Sequence, residues 1–162
     1  MTTTLIKNGT VVTATETMSA DVLIDGEKVV ALAVHGTQKW KADREIDAKG
    51  RYVFPGGIDV HTHMELPFGG TLASDSFETG TRAAAFGGTT TIIDFAVQVK
   101  GGSAMDGYEA YRAKADGNVA IDYGLHVITG DINEQTLKEM GMLMDEGVTS
   151  FKMFMAYPGV FY

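Results

Sequence analysis

The chain has 162 residues, of which 44% are hydrophobic and 21% are charged, which excludes a disordered, collagen-like or coiled-coil protein. Thirteen Lys and Arg residues against 21 Asp and Glu residues give a net charge of −8, which argues against nucleic-acid binding. The absence of Cys removes disulfides and thiolate chemistry, and no apolar run is long enough to cross a membrane. We therefore expect a soluble, cytoplasmic protein with neither nucleic acid nor membrane as a partner.

Residues 1–54 are predicted to form short β-strands with no helix between them. Asp25-Gly26 lies between two apolar runs and is typical of a hairpin turn, and Asn8-Gly9 is interpreted in the same way. The segment is too small to close a sandwich by itself.

Strands and helices alternate in the rest of the chain. Strands are predicted to begin near residues 53, 89, 119 and 148, and the helices between them near Asp75, Ser103 and Asp131. The third helix is expected to direct three apolar side chains inward, those of Leu137, Met140 and Met144. Right-handed crossovers make such a sheet parallel, either as an open doubly wound sheet or as part of a closed barrel. In both folds the C-terminal ends of the strands carry the functional site.

His61 and His63 stand two residues apart at the end of the first of these strands. Both imidazoles therefore leave the chain on one face, and convergent imidazoles suit Zn²⁺ and related metals. The spacing alone is a weak signal, because it also fits a pair of polar residues at a strand exit. The position at a strand end in a βα series favours a metal site.

Lys152 lies among aromatic and Met side chains in the fourth predicted strand. Burial of a Lys is unfavourable unless the amine is paired or functional, and burial lowers the pKa of the amine. A neutral amine can react with CO₂ to give a carbamate, whose two oxygens can bridge two metal ions. The alternative is a Lys that extends to the strand end or pairs with an Asp.

For three further residues the sequence allows both a functional and a structural role. Tyr157 follows the same strand and can donate a hydrogen bond to a developing oxyanion, although an ordinary aromatic residue at the start of a loop is commoner. Asp94 is either an acceptor behind the site or a polar group at a strand end. His126 is more simply interpreted as a hydrogen-bonded core His than as a metal ligand.

Several segments together resemble the cyclic amidohydrolases. Residues 54–63 (FPGGIDVHTH) are similar to the opening metal motif of that family. Residues 151–157 (FKMFMAY) resemble the carboxylated-lysine segment of its dihydropyrimidinase and D-hydantoinase branch. Residues 87–95 (GGTTTIIDF) and 46–50 (IDAKG) also resemble this branch, so that the resemblance extends over essentially the whole chain.

The resemblance implies an α/β fold, a (β/α)₈ TIM-type barrel with a small β-sandwich. Residues 1–54 are then strands of the sandwich, and residues 55–162 are the first half of the barrel, with about four strands and three helices. The family uses two more His ligands and an Asp from later strands, which lie beyond Tyr162. We therefore expect the N-terminal portion of a longer enzyme, inactive by itself.

The resemblance also implies a reaction, the hydrolysis of a cyclic amide by a metal-bridging hydroxide. The substrate is a dihydropyrimidine or a 5-substituted hydantoin, and the product is an N-carbamoyl amino acid. Two divalent metal ions, usually Zn²⁺, are the implied cofactors. His61 and His63 bind one ion, Lys152 as its carbamate bridges both, and Tyr157 stabilises the oxyanion. The pocket for the ring substituent is implied at four apolar residues, Leu66, Phe68, Phe154 and Phe161.

The implied partner is a small cyclic amide, and the implied assembly is a homotetramer. Two alternatives stay open, an allantoinase-like amidohydrolase and a non-catalytic dihydropyrimidinase-like scaffold or inactive fragment. The presence of His61, His63 and Lys152 argues against the scaffold.

Overall fold

A computed structural model describes residues 2–156 of the protein, so that Tyr157 and Phe161 lie outside the described residues. The chain divides into two compact units, the first ending at Pro55 and the second beginning at Gly56. Within the described residues, no helix is long and apolar enough to span a membrane.

The described part of the first unit is a five-stranded sheet. Its strands are β1 (Thr3–Val12), β2 (Thr17–Asp25), β3 (Lys28–Val34), β4 (Arg44–Asp47) and β5 (Tyr52–Val53). β1, β2 and β3 are antiparallel neighbours, whereas β4 and β5 both run parallel to β1. A small core forms where alternating apolar residues of β1 and β2 meet, at Val11, Ala20 and Val22.

The turn predicted at Asn8-Gly9 is wrong, because β1 continues through it. The register between β1 and β2 shifts at this point, which makes it a β-bulge instead of a chain reversal. Asn8 has a φ of 64°, which Asn tolerates, and its N–H donates to the Asp21 carboxylate at 2.9 Å. The Asp25-Gly26 hairpin is confirmed between β2 and β3, with Gly26 at a φ of 59°.

The second unit carries three helices and the strands that hold the site. The strands are β6 (Gly57–Asp59), β7 (Pro67–Phe68), β8 (Thr71–Leu72), β9 (Thr89–Val97), β10 (Asp122–Ile128) and β11 (Phe151–Lys152). The helices are α1 (Phe77–Phe86), α2 (Ala104–Ala115) and α3 (Glu134–Asp145). A parallel sheet has the order β11-β10-β9-β6, and β7 and β8 form a separate hairpin. The predicted βα alternation is confirmed.

The two faces of this sheet have different surroundings, because successive side chains of a strand point to opposite sides. Ile92, Ala96, Leu125 and Val127 belong to a core that also contains buried residues of all three helices. Phe95 and His126 alternate with these residues and therefore point to the opposite face. The candidate site lies on this second face.

Several element boundaries differ from the predictions. Residues 52–53 pair with β1 in the first unit, and the first strand of the βα series begins only at Gly57. β10 and β11 begin at Asp122 and Phe151, each three residues later than predicted. The cap of α1 is Ser76, which forms a capping box with Thr79, and Asp75 precedes it.

The inward face predicted for α3 is also wrong. Thr136, Glu139 and Leu143 are the buried residues of this helix, whereas Leu137 and Met144 are 59% and 65% exposed. Met140 is half-buried. Polar contacts explain why a different face of α3 is buried. Thr136 accepts a hydrogen bond from Gln98, and the Glu139 carboxylate accepts from the first N–H groups of α2. The spacing of apolar residues in the sequence does not indicate such polar contacts.

Candidate metal centre

The structure brings His61, His63 and Lys152 together at the C-terminal ends of parallel strands. Both histidines follow β6, and Lys152 is the last residue of β11. The Nε2 atoms of the two histidines are 3.2 Å apart, and Lys152 Nζ is 3.4 Å from His61 Nε2. Residues separated by 91 positions in the chain thus share one small region, because neighbouring parallel strands end at the same edge.

The ring of Phe95 in β9 forms the floor of this region. Its centroid is 4.6 Å from that of His61 and 5.0 Å from that of His63, and Lys152 Nζ lies 4.3 Å from it. The sequence did not single out Phe95, since it is one apolar residue in a β-branched strand. The available signal was the alternation along β9, which separates Phe95 from the core-facing Asp94 and Ala96.

His126 in β10 lies beside Phe95, with ring centroids 4.8 Å apart. Its Nε2 is 3.0 Å from the Val60 carbonyl oxygen, and its Nδ1 pairs with the Ser150 hydroxyl. A carbonyl can only accept, so Nε2 donates to Val60, while the Ser150 hydroxyl can pair with Nδ1 in either direction. Both ring nitrogens are used, which confirms the prediction of a hydrogen-bonded His. His126 therefore connects the residue before His61 to the segment before Lys152.

Asp94 lies on the other face of β9 and is fully buried, with 0% exposure. Its carboxylate accepts hydrogen bonds from the Thr62 hydroxyl and the Met64 N–H, each at 2.8 Å, and from the Phe95 N–H at 2.7 Å. Burial raises the pKa of Asp94 above its ordinary value, although the hydrogen bonds and nearby His63 act in the opposite direction. Of the two roles that the sequence left open, the contacts favour the acceptor behind the site.

The surroundings of the site favour the neutral forms of the His63 and Lys152 side chains. Burial lowers the pKa of His63, and the neighbouring Lys152 and His61 lower it further, against the opposing effect of Asp94. Burial also lowers the pKa of Lys152, although this side chain is half-buried instead of fully buried. A neutral imidazole can bind a metal, and a neutral amine can react with CO₂.

The donor atoms fit a transition-metal ion. The Nε2 atoms of His61 and His63 lie 3.2 Å apart. His63 Nδ1 is buried with no hydrogen-bond partner among the described residues. Between positions 2 and 156, no group of three or more His, Cys, Asp or Glu side chains is placed to hold a metal. The two histidines therefore provide part of a coordination shell, and a carbamate on Lys152 is the further donor that these residues can supply.

A cavity of about 440 Å³ opens beside His63 and Lys152. Three of the four residues predicted for the ring substituent line it, namely Leu66, Phe68 and Phe154. The β7–β8 hairpin forms one wall, and Gly69 and Gly70 make its turn with φ values of 60° and 81°. The sequence predicted no strand here, although a Gly-Gly pair between short apolar segments is a hairpin signal.

Comparisons with known proteins find similar sequences and similar folds. The model of the amidohydrolase family matches residues 44–123. The chain is 61% identical to a D-hydantoinase of Streptomyces coelicolor, over 98% of the chain and 35% of that protein. Crystal structures of a D-hydantoinase from Bacillus sp. AR9 and a dihydropyrimidinase from Brevibacillus agri each superpose with a TM-score of 0.92. Their identities are 51% and 52%, and each match covers 98% of this chain and 34% of the other.

The chain thus spans about a third of the length of the relatives that it matches. The structural neighbours are TIM-barrel amidohydrolases, which confirms the predicted fold class, a partial (β/α)₈ barrel preceded by additional strands. By sequence and by fold, the chain is similar to part of the D-hydantoinases and dihydropyrimidinases, and the family model that it matches is that of the amidohydrolases.

Proposed function

We propose that the protein containing this chain hydrolyses a ring amide bond of a dihydropyrimidine or a 5-substituted hydantoin, giving an N-carbamoyl amino acid. One observation carries the proposal: His61, His63 and Lys152 converge at strand ends in a chain that is similar to D-hydantoinases over 98% of its length. Because the chain spans about a third of those relatives, the proposed activity is that of the whole protein.

In this proposal His61 and His63 hold one divalent metal ion through their Nε2 atoms. The neutral Lys152 amine would attack the carbon of CO₂, so that a new N–C bond forms while the π electron pair of one C=O bond moves to oxygen, and one proton passes from the nitrogen to solvent water. The resulting carbamate would supply two oxygen ligands for divalent metal ions, which we propose to be Zn²⁺. The lowered pKa of Lys152 supports this step, because it increases the fraction of neutral amine. The bound ions supply Lewis-acid activation of water and of the ring carbonyl.

The apolar walls of the cavity are proposed to take the exocyclic group of the substrate. Leu66, Phe68 and Phe154 are positioned for this contact, and Phe161 is proposed as a fourth member of the set. Burial of an apolar substituent here displaces water and orients the ring amide toward the histidines. Tyr157 is proposed to donate its hydroxyl proton in a hydrogen bond to the developing oxyanion.

The remaining proposals concern the whole protein. Residues 1–54 contribute strands to a β-sandwich, and residues 55–162 form the first half of the barrel. The protein is proposed to be a cytoplasmic homotetramer. The acidic, Cys-free composition is compatible with a reducing compartment, and the tetramer rests on the resemblance alone.

The proposal is tested by metal analysis and assay of the native protein that contains residues 1–162. We expect about two metal ions per chain and hydrolysis of dihydrouracil and 5-substituted hydantoins. Lys152→Ala should reduce kcat/KM about a thousandfold or more, because it removes the bridging ligand. Lys138→Ala on the exposed side of α3 is the matched control and should keep the activity.

The alternatives predict different results. A protein without bound metal or hydrolytic activity would be the non-catalytic scaffold, and a preference for allantoin would identify the allantoinase-like enzyme. Native mass spectrometry at neutral pH should show a carbamate as about 44 Da of added mass, which Lys152→Ala should lose. Undiminished turnover in Lys152→Ala would reject the role proposed for the carbamate.

A further inference from the structure

The segment that carries the two histidines alternates between two environments. His61 and His63 point to the candidate metal centre, where both rings pack against Phe95. Thr62 and Met64 point the other way, and Met64 is 9% exposed in the core of the second unit. A single carboxylate oxygen, Oδ2 of Asp94, accepts hydrogen bonds from both of these inward-facing residues. Asp94 therefore holds the chain immediately before and immediately after His63.

We propose that Asp94 is a positioning residue of the candidate metal centre, which sets the direction of the two imidazoles through the Thr62 hydroxyl and the Met64 amide. This inference rests on the proposed function, because it takes His61 and His63 as metal ligands. Asp94 acts through its neighbours, since its side chain lies on the opposite face of β9 from Phe95.

The carboxylate at this position accepts three hydrogen bonds, two at Oδ2 and one at Oδ1. Asp94 is fully buried, and no Lys or Arg forms an ion pair with it within residues 2–156. An Asn oxygen can accept the two hydrogen bonds of Oδ2 with a smaller desolvation penalty, but its NH₂ group would then face the Phe95 N–H, which donates to Oδ1 of Asp94. A carboxylate makes stronger, shorter hydrogen bonds, and its negative charge behind His63 favours a cation bound on the other side of the ring.

Other contacts fix the main chain of this segment, so the hydrogen bonds of Asp94 act on a chain that is already confined. The Thr62 N–H donates to the Ile93 carbonyl oxygen at 3.3 Å. The side chain of Met64 packs against α1 at Gly80, where an added Cβ would lie 2.3 Å from Met64 Sδ. With the main chain confined, the hydrogen bond from the Thr62 hydroxyl to Asp94 sets the remaining orientation of the His61 ring relative to the His63 ring.

The test compares two substitutions of Thr62 in the native protein. Thr62→Val keeps the shape of the side chain but loses the hydroxyl, whereas Thr62→Ser keeps the hydroxyl and loses a methyl group. We expect Thr62→Val to weaken Zn²⁺ affinity about tenfold to a hundredfold, the usual effect of losing a contact behind a metal ligand. Its Co²⁺-substituted form should also show an altered visible absorption spectrum. Thr62→Ser should match the wild type in both measurements.

Asp94→Asn is the second variant, because it keeps the size of the side chain but replaces one acceptor oxygen by a donor. We expect it to weaken Zn²⁺ affinity at least as much as Thr62→Val. If it does not fold, the Thr62 pair still decides the question. A purely structural role predicts instead that both Thr62 variants bind Zn²⁺ like the wild type, with unchanged Co²⁺ spectra, and that result would overturn the positioning role.

The outcomes also separate this inference from the proposed function. A wild-type protein that binds neither Zn²⁺ nor Co²⁺ overturns both. A wild type that binds metal and hydrolyses cyclic amides, together with a Thr62→Val variant of equal affinity and spectrum, overturns the positioning role alone.

Discussion

The two sides of the candidate metal centre are held by different kinds of contact. On the histidine side, the Asp94 carboxylate accepts hydrogen bonds from Thr62 and Met64, the residues on either side of His63. On the lysine side, the main chain itself is paired, because the Thr129 N–H donates to the Lys152 carbonyl oxygen at 2.9 Å. The turn that follows Thr129 is held by a neutral side chain, since the Gln98 side-chain oxygen accepts from the Gly130 N–H at 3.0 Å.

The difference follows from the lengths of the side chains. A His side chain has only two rotatable bonds, so a fixed main chain together with the packing of both rings against Phe95 leaves few positions for Nε2. The amine of Lys152 ends a flexible stem, so a fixed main chain leaves Nζ free to sample several positions. Nζ lies 4.3 Å and 4.9 Å from the ring centroids of Phe95 and Phe154. We therefore expect the histidine side to be pre-organised before metal binding and the lysine side to become ordered with it.

The largest expected effect comes from removing the floor that both sides share. Phe95 is 5% exposed and contacts the rings of His61, His63 and His126. Phe95→Ala should lower the free energy of unfolding by about 3–5 kcal/mol, since it deletes a buried ring and leaves a cavity. Urea denaturation of the metal-free protein measures this change.

The matched control for this substitution is Phe86→Ala at the end of α1. Phe86 is 96% exposed, so its removal should change the free energy of unfolding by less than about 0.5 kcal/mol. Equal effects of the two substitutions would show that Phe95 is not a structural floor for either side.

A second prediction addresses the lysine side alone. A Cβ added at Gly130 would lie 2.5 Å from the main-chain oxygen of Gln98, which cannot move independently of β9. Gly130→Ala should therefore destabilise the protein by about 3 kcal/mol and displace the turn that contacts Lys152. Thermal denaturation followed by circular dichroism checks the prediction.

Gly141→Ala in α3 provides the control, because an added Cβ there meets nothing within 4 Å. It should stabilise the helix by about 0.5–1 kcal/mol. If both alanine variants are as stable as the wild type, the main chain on the lysine side is more adaptable than its contacts indicate, and the contrast between the two sides disappears.

The sequence predicted the parts of the fold that depend on local patterns. The alternation of strands and helices and the hairpin at Asp25-Gly26 follow from periodicity and turn residues, which act over a few positions. The Asn8 bulge was missed because the same residues favour a turn, and only pairing with β2 decides between the two. The wrong face of α3 has a similar origin, since Glu139 is buried through contacts with α2.

The part of the candidate site that depends on residue type alone could be predicted from the sequence. His61, His63 and Lys152 are distinctive in sequence, and the structure brings them together. Phe95 and Asp94 could not be assigned in the same way, because their roles depend on which face of β9 each occupies and on partners about thirty residues away. Their roles are defined by tertiary contacts.

The smallest expected effect concerns the contact between α3 and the start of α2. The Glu139 carboxylate in α3 accepts from the Ala104 N–H at 2.7 Å, the Met105 N–H at 3.3 Å and the Gln135 side chain at 2.8 Å. Burial by itself raises the pKa of Glu139, but these hydrogen bonds and one with Ser103 outweigh it and hold the pKa below its ordinary value. The ionised form is therefore the one that the folded state favours.

Glu139→Gln should destabilise the protein by about 1 kcal/mol at pH 7, the difference between a charged and a neutral acceptor. A depressed carboxyl pKa contributes stability above the unfolded-state pKa, and this contribution is lost as the pH falls through the lower folded-state pKa. The difference between wild type and variant should therefore shrink in urea titrations at progressively lower pH below about 4. Glu109→Gln on the exposed face of α2 should follow the wild type throughout. A difference that stayed constant with pH would mean that Glu139 stabilises α2 through its shape and not through its charge.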